Sequence, residues 1–377
     1  MRRIILASLG ASLLGFGPAV VAAPAPQIDV MTQNQYIGAD IAPIIGAIGT
    51  DGFNDAVITA LEQVSANRTA DRVAKLASQI SGRRPHLVGL QEVWSLTCIP
   101  ALPELGGYPC NDPSIAAGFG DHLSLTMAAL GNSYNVVAMV QNFTVESYGP
   151  YPGIPFFLNS VPAFLQVMDR DVILARSDVP ATPYSYPCTK PSMDGCNYIV
   201  DLPLGAPLGS VRRGFVAVDA TVNGKPYRFV NTHLEVEAGG GIPGEVQAYQ
   251  AQQLLGTILG ATPGDLGLIV VGDFNSSPND AASSLPTPYT QLTQSGMYDD
   301  WLLRPGNVAG LSCCQLEDLS NRVSILSRRI DLIFSREMPR MVKNARLIGE
   351  VAADRLSPPG LGLWPSDHSS VAAGLQY

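Results

Sequence analysis

The clearest hairpin signal in this chain is GFVAVDATVNGKPYRFVNTHL, residues 214–234. Two largely apolar stretches, 214–222 and 226–234, flank Asn223-Gly224, a pair that favours the left-handed conformations of a two-residue hairpin turn. The stretch therefore predicts two adjacent antiparallel strands. Its second strand ends in the polar triplet Asn-Thr-His, although burying such groups is costly unless they find partners.

The rest of the chain alternates short apolar strands with a few helices. Because no linker or repeat divides it after residue 26, the pattern favours one α+β domain of two packed sheets with helices outside them. Strands are predicted over residues 28–36, 86–93, 134–141, 171–175, 268–271, 329–335 and 370–376, and helices over 67–81, 113–130 and 245–259.

Residues 142–165 differ from this pattern, because they are rich in aromatic residues, Pro and Gly and poor in charge. They match neither a helix nor a regular strand, and we predict an insertion or lid loop here. A loop packed on the surface is the alternative. An uncharged aromatic segment of this kind could also contact a membrane surface.

Composition limits the classes of protein. The 377 residues are 46% hydrophobic and 15% charged, which excludes a disordered chain and allows a large core. The formal net charge is −9. An acidic protein binds polyanions poorly without specific contacts, which argues against a protein that coats nucleic acid.

The amino terminus has the pattern of an export signal. Arg2 and Arg3 precede an apolar run, and small residues follow it near position 25. We interpret residues 1–25 as a signal peptide, residues 26–377 as the mature domain, and the protein as secreted or periplasmic. A membrane anchor is the alternative, but Gly and Pro interrupt the run.

Six cysteines in an exported chain predict disulfides. Short sequence separation favours Cys98–Cys110 and Cys188–Cys196. The adjacent Cys313 and Cys314 either form a vicinal bridge or remain thiols. Neither fits a zinc-binding pattern.

Polar side chains recur where the predicted apolar strands end. They are Asn34, Glu92, His233, Asp273, Asn275, Asp331, Asp367 and His368. Carboxylate and amide oxygens suit Mg²⁺ or Mn²⁺ better than zinc. A histidine can accept a proton from water when a carboxylate orients its ring. Metal ligands, a base and phosphate donors together predict hydrolysis of a phosphate ester.

Each of these residues alone also has a structural interpretation. Glu92 could be a solvated strand end, Asp273 with Asn275 a turn, and His233 a buried structural histidine. Asp331 is the hardest to explain in this way, because it stands in a strongly apolar strand. Their joint occurrence carries the functional interpretation.

Six motifs resemble the endonuclease/exonuclease/phosphatase superfamily, which includes deoxyribonucleases, abasic-site endonucleases, neutral sphingomyelinases and inositol-phosphate phosphatases. They are MTQNQY (31–36), GLQEV (89–93), NTHLE (231–235), GDFNSSP (272–278), RIDLIF (329–334) and SDHSSV (366–371). The resemblance implies a four-layer α/β/β/α sandwich of two packed mixed sheets, with the site at the loops where both sheets meet.

The resemblance also implies roles for single residues. Glu92 and Asn34 would hold the metal, and Asp367 would support it. The expected metal is Mg²⁺, with Mn²⁺ or Ca²⁺ as alternatives.

The remaining motif residues would act on the phosphate. Asp273 would position the attacking water or the phosphate, and Asn275 would bind a phosphate oxygen. His368, paired with Asp331, would be the general base. His233 would stabilise the phosphate or assist the leaving group, but no motif locates the carboxylate expected to orient it.

The residues suggest one further phosphate ligand. Arg212 and Arg213 precede the first hairpin strand, and a guanidinium there could clamp a phosphate. An exposed basic pair is the alternative.

We predict a secreted, metal-dependent phosphodiesterase acting on a lipid headgroup or on nucleic acid, and expect a monomer. The scarcity of Lys and Arg favours a diester over a dianionic monoester. A phosphomonoesterase on a sugar or inositol phosphate and a non-catalytic binding or toxin-like module are the alternatives. Residues 239–244 satisfy GxGxxG, but the antiparallel hairpin before them argues against a dinucleotide site, so no nucleotide cofactor is expected.

Overall fold

The computed structural model describes residues 26–205, 208–236, 242–282, 284–356 and 362–377. The predicted signal peptide lies outside the described residues, as do residues 239–241 of the glycine-rich stretch.

Strands and helices follow one another along the chain. The strands are β1 (Gln27–Asn34), β2 (Leu87–Gln91), β3 (Ser95–Pro100), β4 (Gly120–Asp121), β5 (Tyr134–Val145), β6 (Ile154–Leu158), β7 (Val161–Arg176), β8 (Ala181–Tyr184), β9 (Lys190–Ser192), β10 (Gly195–Asn197), β11 (Leu202–Gly205), β12 (Gly209–Val211), β13 (Gly214–Val222), β14 (Lys225–His233), β15 (Gly267–Asp273), β16 (Tyr298–Asp299), β17 (Asp331–Ser335), β18 (Met341–Ile348) and β19 (Ser370–Gln376). The α-helices are α1 (Ala42–Ala47), α2 (Phe53–Ala66), α3 (Thr69–Arg83), α4 (His122–Leu130), α5 (Ile242–Ala261) and α6 (Pro288–Gln294).

Two mixed sheets form the centre of the molecule. In the first, the order is β18-β19-β1-β2-β7-β3-β4, and β5 and β6 also pair with β7. In the second, the order is β16-β17-β15-β14-β13-β10-β9, and β8 pairs with β13. The pairs β1–β2 and β14–β15 are parallel, and β13–β14 is the predicted antiparallel hairpin.

The burial pattern explains why these strands are apolar on both faces. Side chains alternate across a strand, so one set packs between the sheets and the other against a helix. In β2, Leu87 belongs to the cluster between the sheets, and Val88 packs with Ala77 and Ile80 of α3. The second sheet packs in the same way against α5 and α6. The result is the predicted four-layer sandwich.

The sheets approach closely at Gly89 of β2. A Cβ atom there would lie 2.6 Å from Oδ1 of Asn231 and 2.7 Å from Cγ2 of Val271. Asn231 joins the two sheets, because its Nδ2 donates to the carbonyl oxygens of Leu90 (2.8 Å) and Val172 (3.1 Å). The absence of a side chain at residue 89 makes room for this link.

The strand register gathers the polar ends at one edge. Asn34 is opposite Gln91 in the parallel pair β1–β2, and His233 is opposite Asp273 in the parallel pair β14–β15. The antiparallel β17 begins at that same edge, since Asp331 is opposite Asp273. Residues more than two hundred positions apart therefore meet.

The prediction of an irregular loop over 142–165 is wrong. β5 continues to Val145, β6 covers 154–158, and β7 starts at Val161, so only the middle of the segment is a loop. The Pro and Gly content that favoured a loop includes Pro155. It lies in β6, which pairs with β7 alone, and an edge strand tolerates the missing backbone donor.

The predicted helix over 113–130 is too long. The α-helix begins at His122, and Asp121 caps it by accepting a hydrogen bond from the backbone N–H of Leu123 (3.0 Å). Gly120 precedes the cap with a φ of 155°. Helices α1 and α2 were not predicted.

The short-range disulfides Cys98–Cys110 and Cys188–Cys196 are both formed, as predicted. For the adjacent Cys313 and Cys314, the choice between a vicinal bridge and two thiols stays a prediction. Disulfides favour an extracellular or periplasmic location. Among the described residues, no helix has the length and apolar character needed to cross a membrane.

Candidate active site

Asp273, at the end of β15, lies at the centre of the site. Its Oδ2 accepts a hydrogen bond from Nδ2 of Asn34 (3.1 Å), and its Oδ1 accepts one from the backbone N–H of Asn275 (2.9 Å). Nε2 of His233 and Nε2 of His368 lie 3.6 and 3.7 Å from the same Oδ2. One buried carboxylate thus contacts residues from both sheets.

Glu92 directly follows β2 and adopts a left-handed backbone conformation, with φ at 53°. Nδ2 of Asn34 donates to its Oε1 (3.0 Å). The backbone N–H of Ile37 (3.2 Å) and Nε1 of Trp94 (3.3 Å) donate to its Oε2. These three donors orient a half-buried carboxylate toward the edge where the polar strand ends meet.

His368 and Asp331 form a buried pair. Nδ1 of His368 lies 2.8 Å from Oδ2 of Asp331. Oγ of Ser312 accepts a hydrogen bond from the backbone N–H of Asp331 (3.1 Å), which fixes the start of β17. Asp367 lies on the other side of the imidazole, with Oδ2 4.0 Å from Nε2 of His368.

The environment of His368 favours its protonated form in the absence of a cation. Burial, which lowers the pKa of an imidazole, is outweighed by the carboxylates of Asp331, Asp367 and Asp273, so the pKa of His368 is raised well above its ordinary value. Burial also raises the pKa of Asp273, to about 7, despite the opposing effect of His368.

The guanidinium of Arg213 contacts the ring of His233. An Nη1 atom of Arg213 lies 3.0 Å from Nδ1 of His233. A guanidinium can only donate, so Nδ1 must accept and the neutral ring carries its proton on Nε2. Burial and the charge of Arg213 lower the pKa of His233 well below its ordinary value. An arginine therefore occupies the place of the carboxylate that was expected to orient His233.

Arg213 is fixed by two acids that the sequence analysis did not identify. Its guanidinium lies 3.7 Å from Oδ2 of Asp169 and 3.6 Å from Oε2 of Glu235, and only 12% of its side chain is exposed. The alternative of an exposed basic pair therefore does not describe Arg213, whereas Arg212 is exposed. Glu235 stands inside the NTHLE motif, but Asp169 is distant in sequence and had no local signal.

Asn275 lies beside His233 and has a left-handed φ of 49°. Its Nδ2 donates to the carbonyl oxygen of Leu234 (3.0 Å) and lies 3.1 Å from Nε2 of His233. Since that Nε2 also carries a proton, the two nitrogens cannot bond to each other. An anionic oxygen that accepts from both would satisfy them.

The donor set fits a hard divalent cation. Ligand atoms of Asp273, Asp331 and His368 lie within 4.8 Å of one another. Oδ1 of Asp331 is buried with no hydrogen-bond partner among the described residues. Carboxylates crowded in this way, with Glu92 nearby, would be stabilised by positive charge, and oxygen ligands suit Mg²⁺, Mn²⁺ or Ca²⁺.

Apart from Arg212, the site residues singled out in the sequence converge in one network of direct contacts. The chain of contacts runs through Asn34, Glu92, Asp273, Asn275, His233, Arg213, His368, Asp331 and Asp367. His86 lies outside this network, and its Nδ1 accepts a hydrogen bond from the backbone N–H of Asp29 (2.9 Å).

A family model described as the endonuclease/exonuclease/phosphatase family matches residues 51–368. This chain belongs to that family. Family members are phosphoester hydrolases that generally depend on a divalent metal. The match begins after Asn34, so that residue is connected to the site by geometry alone. A search of curated protein sequences finds no match.

Solved structures of the endonuclease/exonuclease/phosphatase family share the fold. A family member from Bacteroides thetaiotaomicron is 14% identical with a TM-score of 0.52, and the alignment covers 94% of this chain and 99% of that one. A mannosyl-6-phosphatase from Bacteroides thetaiotaomicron is 14% identical with a TM-score of 0.50, covering 93% and 100%. A protein from Beutenbergia cavernae is 17% identical with a TM-score of 0.50, covering 93% and 72%. At these identities the similarity concerns the fold alone.

Proposed function

We propose that this protein is a secreted, divalent-metal-dependent phosphodiesterase that cleaves a lipid or nucleic-acid diester. The observation that carries the proposal is the opposite orientation of two histidines beside Asp273. In neutral His368, Asp331 accepts from Nδ1–H, which leaves Nε2 free to accept a proton. In His233, Arg213 donates to Nδ1, which makes Nε2 a donor. A proton acceptor and a hydrogen-bond donor therefore flank one carboxylate.

These orientations assign a task to each side chain. Nε2 of His368 removes a proton from the attacking water, which Asp273 positions. Asn275 and His233 donate hydrogen bonds to a phosphate oxygen as its charge grows. Because a neutral imidazole is a very weak acid, His233 stabilises charge and does not protonate the leaving oxygen. As the bond from water to phosphorus forms, the bond from phosphorus to the leaving oxygen breaks, and that oxygen takes a proton from solvent.

Glu92, supported by Asp367, would hold the divalent cation. Asn34, expected as a second ligand, instead orients Glu92, because its Nδ2 donates to Oε1 of Glu92 (3.0 Å) while its Oδ1 accepts from the backbone N–H of Tyr36 (2.9 Å). When bound, the cation supplies positive charge that stabilises the phosphate and offsets the carboxylates that raise the pKa of His368. The imidazole can then be neutral, and so act as a base, near neutral pH.

The arginines around the site support a diester as substrate. A monoester dianion calls for additional free cations, whereas these arginines are engaged. Arg72 is fully buried and donates to the carbonyl oxygens of Gln35 (3.1 Å) and Pro365 (3.0 Å). Arg328 pairs with Asp280 (2.8 Å).

The test compares bis(p-nitrophenyl) phosphate with p-nitrophenyl phosphate, with Mg²⁺ and with a chelator. We expect the diester to be the better substrate and the chelator to stop turnover. His368→Ala should lose roughly 10²–10⁴-fold in kcat, while His86→Ala, a histidine substitution outside the network, should keep activity. A preference for the monoester, or full activity in folded His368→Ala, would contradict the proposal.

Export is part of the proposal. It is supported by the signal-like residues 1–25 and by the two disulfides. Sequencing the amino terminus of the protein recovered from culture medium or periplasm would test it. We propose that residues 26–377 act as a single catalytic domain and as a monomer.

A further inference from the structure

An apolar cavity of about 110 Å³ lies beside the catalytic residues. Helices α1 and α2 form one wall through residues such as Ile44 and Leu61, and the first sheet forms another through Leu165. Leu204 and Leu208, from the β11–β12 region, also line it. We propose that this cavity binds an aliphatic chain attached to the scissile phosphodiester, so that the substrate is a lipid.

Two residues that line the cavity contact Glu92 directly. Trp94 lines it and donates from Nε1 to Oε2 of Glu92 (3.3 Å). Ile37 lines it as well, and its backbone N–H donates to that same oxygen (3.2 Å). A chain bound in the cavity would therefore be one side chain away from Glu92, as expected for a substituent of a phosphate held there.

The lining selects hydrocarbon over a nucleoside. Among the described residues that line the cavity, the charged side chains are Asp169 and Arg213, and both belong to the cluster that holds His233. A base or sugar placed among the isoleucines, leucines and valines would leave its polar groups unpaired, which is costly. Methylene groups need no partner and gain from burial.

The lining of the cavity combines a polar part with an apolar part, as the binding site of an amphiphile does. Arg213 lines the cavity and contacts His233 of the catalytic network at 3.0 Å, whereas Ile44 and Ile48 of the α1 region contribute apolar lining and belong to no catalytic contact described above. A lipid presents this same combination of polar phosphate and apolar chain. The volume is of the same order as the roughly 150 Å³ apolar cavity known to bind benzene, so a short chain segment fits.

The nearby surface adds a second, independent observation. Ile154 of β6 faces the cavity, whereas Phe157 of the same strand is 50% exposed. Asn54 of α2 ties this strand to the cavity wall, because its side chain accepts from the backbone N–H of Phe157 (2.7 Å). Tyr151 is also 46% exposed. Exposed aromatic rings of this kind suit the interface of a lipid surface.

This inference rests on the proposed phosphodiesterase activity, and its test separates the two. The substrates are alkyl p-nitrophenyl phosphates with chains of increasing length, used below their micelle concentration. If the chain enters the cavity, kcat/KM should rise about fourfold per added methylene over the first few carbons. Ala60→Phe, which fills the cavity, and Ile44→Asn, in its half-buried wall, should flatten this slope. Met341→Asn, at an exposed apolar position of β18, should keep it.

Binding without turnover provides a second measurement. 1-Octanol carries no phosphate, and calorimetric titration should show that it binds the wild type saturably. Its affinity should be at least tenfold lower in Ala60→Phe. Thermal unfolding identifies variants that fail to fold. If Ala60→Phe does not fold, Ile44→Asn alone tests binding in the cavity.

The outcomes are distinguishable. Turnover of short diesters with a flat chain-length slope and no octanol binding would overturn the lipid proposal and leave the phosphodiesterase standing. Faster cleavage of plasmid DNA than of any alkyl diester would also overturn it. No turnover of any diester by folded protein would refute the proposed function, and the lipid proposal with it.

Discussion

Replacing Asp331 with Asn tests the proposed base most directly, because the change keeps the shape of the side chain and removes its charge. In the wild type, Oδ2 of Asp331 accepts from Nδ1–H of His368 at 2.8 Å, while Oδ1 is buried with no hydrogen-bond partner among the described residues. The amide that Asp331→Asn introduces therefore has two orientations, and both reduce activity.

In the first orientation the amide NH₂ faces Nδ1. The imidazole must then carry its proton on Nε2, where it can no longer accept one from water. In the second orientation the amide oxygen faces Nδ1–H, as the carboxylate does, but the NH₂ occupies the position of Oδ1 and lacks an acceptor. That penalty is about 1–3 kcal/mol, so the competent orientation is disfavoured by roughly 5- to 150-fold.

The loss of charge adds to this effect. A hydrogen bond to an ionised group is worth roughly 1 kcal/mol more than a neutral one, and that difference stabilises the imidazolium formed during the reaction. Together these effects predict a fall of about 30- to 800-fold in kcat for Asp331→Asn. Removing a negative charge also lowers the pKa of His368, so the acidic limb of the pH–rate profile should move to lower pH.

The assay is hydrolysis of bis(p-nitrophenyl) phosphate at saturating Mg²⁺ across the pH range, with thermal unfolding as a check on folding. Asp300→Asn is the matched control, because Asp300 is also fully buried and accepts a hydrogen bond from Oγ of Ser335 (2.7 Å) outside the site. It should keep activity within about twofold. A folded Asp331→Asn enzyme within threefold of the wild type would refute the assignment of His368 and Asp331 as the base.

Three further predictions concern packing, pH and metal. Gly89→Ala should lower the free energy of unfolding by about 1–3 kcal/mol, because its Cβ would meet Asn231 at 2.6 Å; Gly82→Ala, with no atom within 4 Å, should be neutral or stabilising, and equal unfolding midpoints would contradict this. Burial raises the pKa of Asp300 well above its ordinary value. The folded state then holds that proton more tightly than the unfolded state, so wild-type stability should fall as pH rises from about 4 through the folded pKa, by up to about 1.4 kcal/mol per pH unit. Other buried acids, such as Asp273, add to this slope, so Asp300→Asn should reduce it by the contribution of one group, and a parallel pH dependence of the unfolding midpoint in both proteins would contradict it. Mg²⁺ at about 100 times its Kd should stabilise the wild type by about 2.7 kcal/mol; Glu92→Gln should largely abolish this rise in Tm, and an undiminished rise would remove Glu92 from the metal site.

Much of the fold was readable from local pattern. Strands buried on both faces are continuously apolar, so β2 and β15 stood out as short runs between turn signals. The hairpin turn at Asn223-Gly224 set the pairing of β13 and β14 directly. Segment 142–165 was misjudged because its strand register depends on β7, a partner that local composition does not reveal.

The site was readable only in part. Polar residues at the ends of apolar strands are conspicuous, and the family resemblance suggested their roles. The partner of His233 was not predictable, because Arg213 is twenty positions away and its own position is held by Asp169 of the opposite sheet. The cavity is assembled from helices α1 and α2, which gave no clear sequence signal, and from strands of the first sheet.

By itself, the amino-acid sequence determined which residues are chemically able to take part: oxygen ligands, two imidazoles and phosphate donors, each standing beside a run of apolar residues. The tertiary structure alone decided which proton each imidazole carries and what lies beside the phosphate. Those properties depend on distances of about 3 Å between side chains that are 20 and 37 positions apart in the chain. Hydrogen bonding and burial act over such distances in space, whatever the separation along the chain.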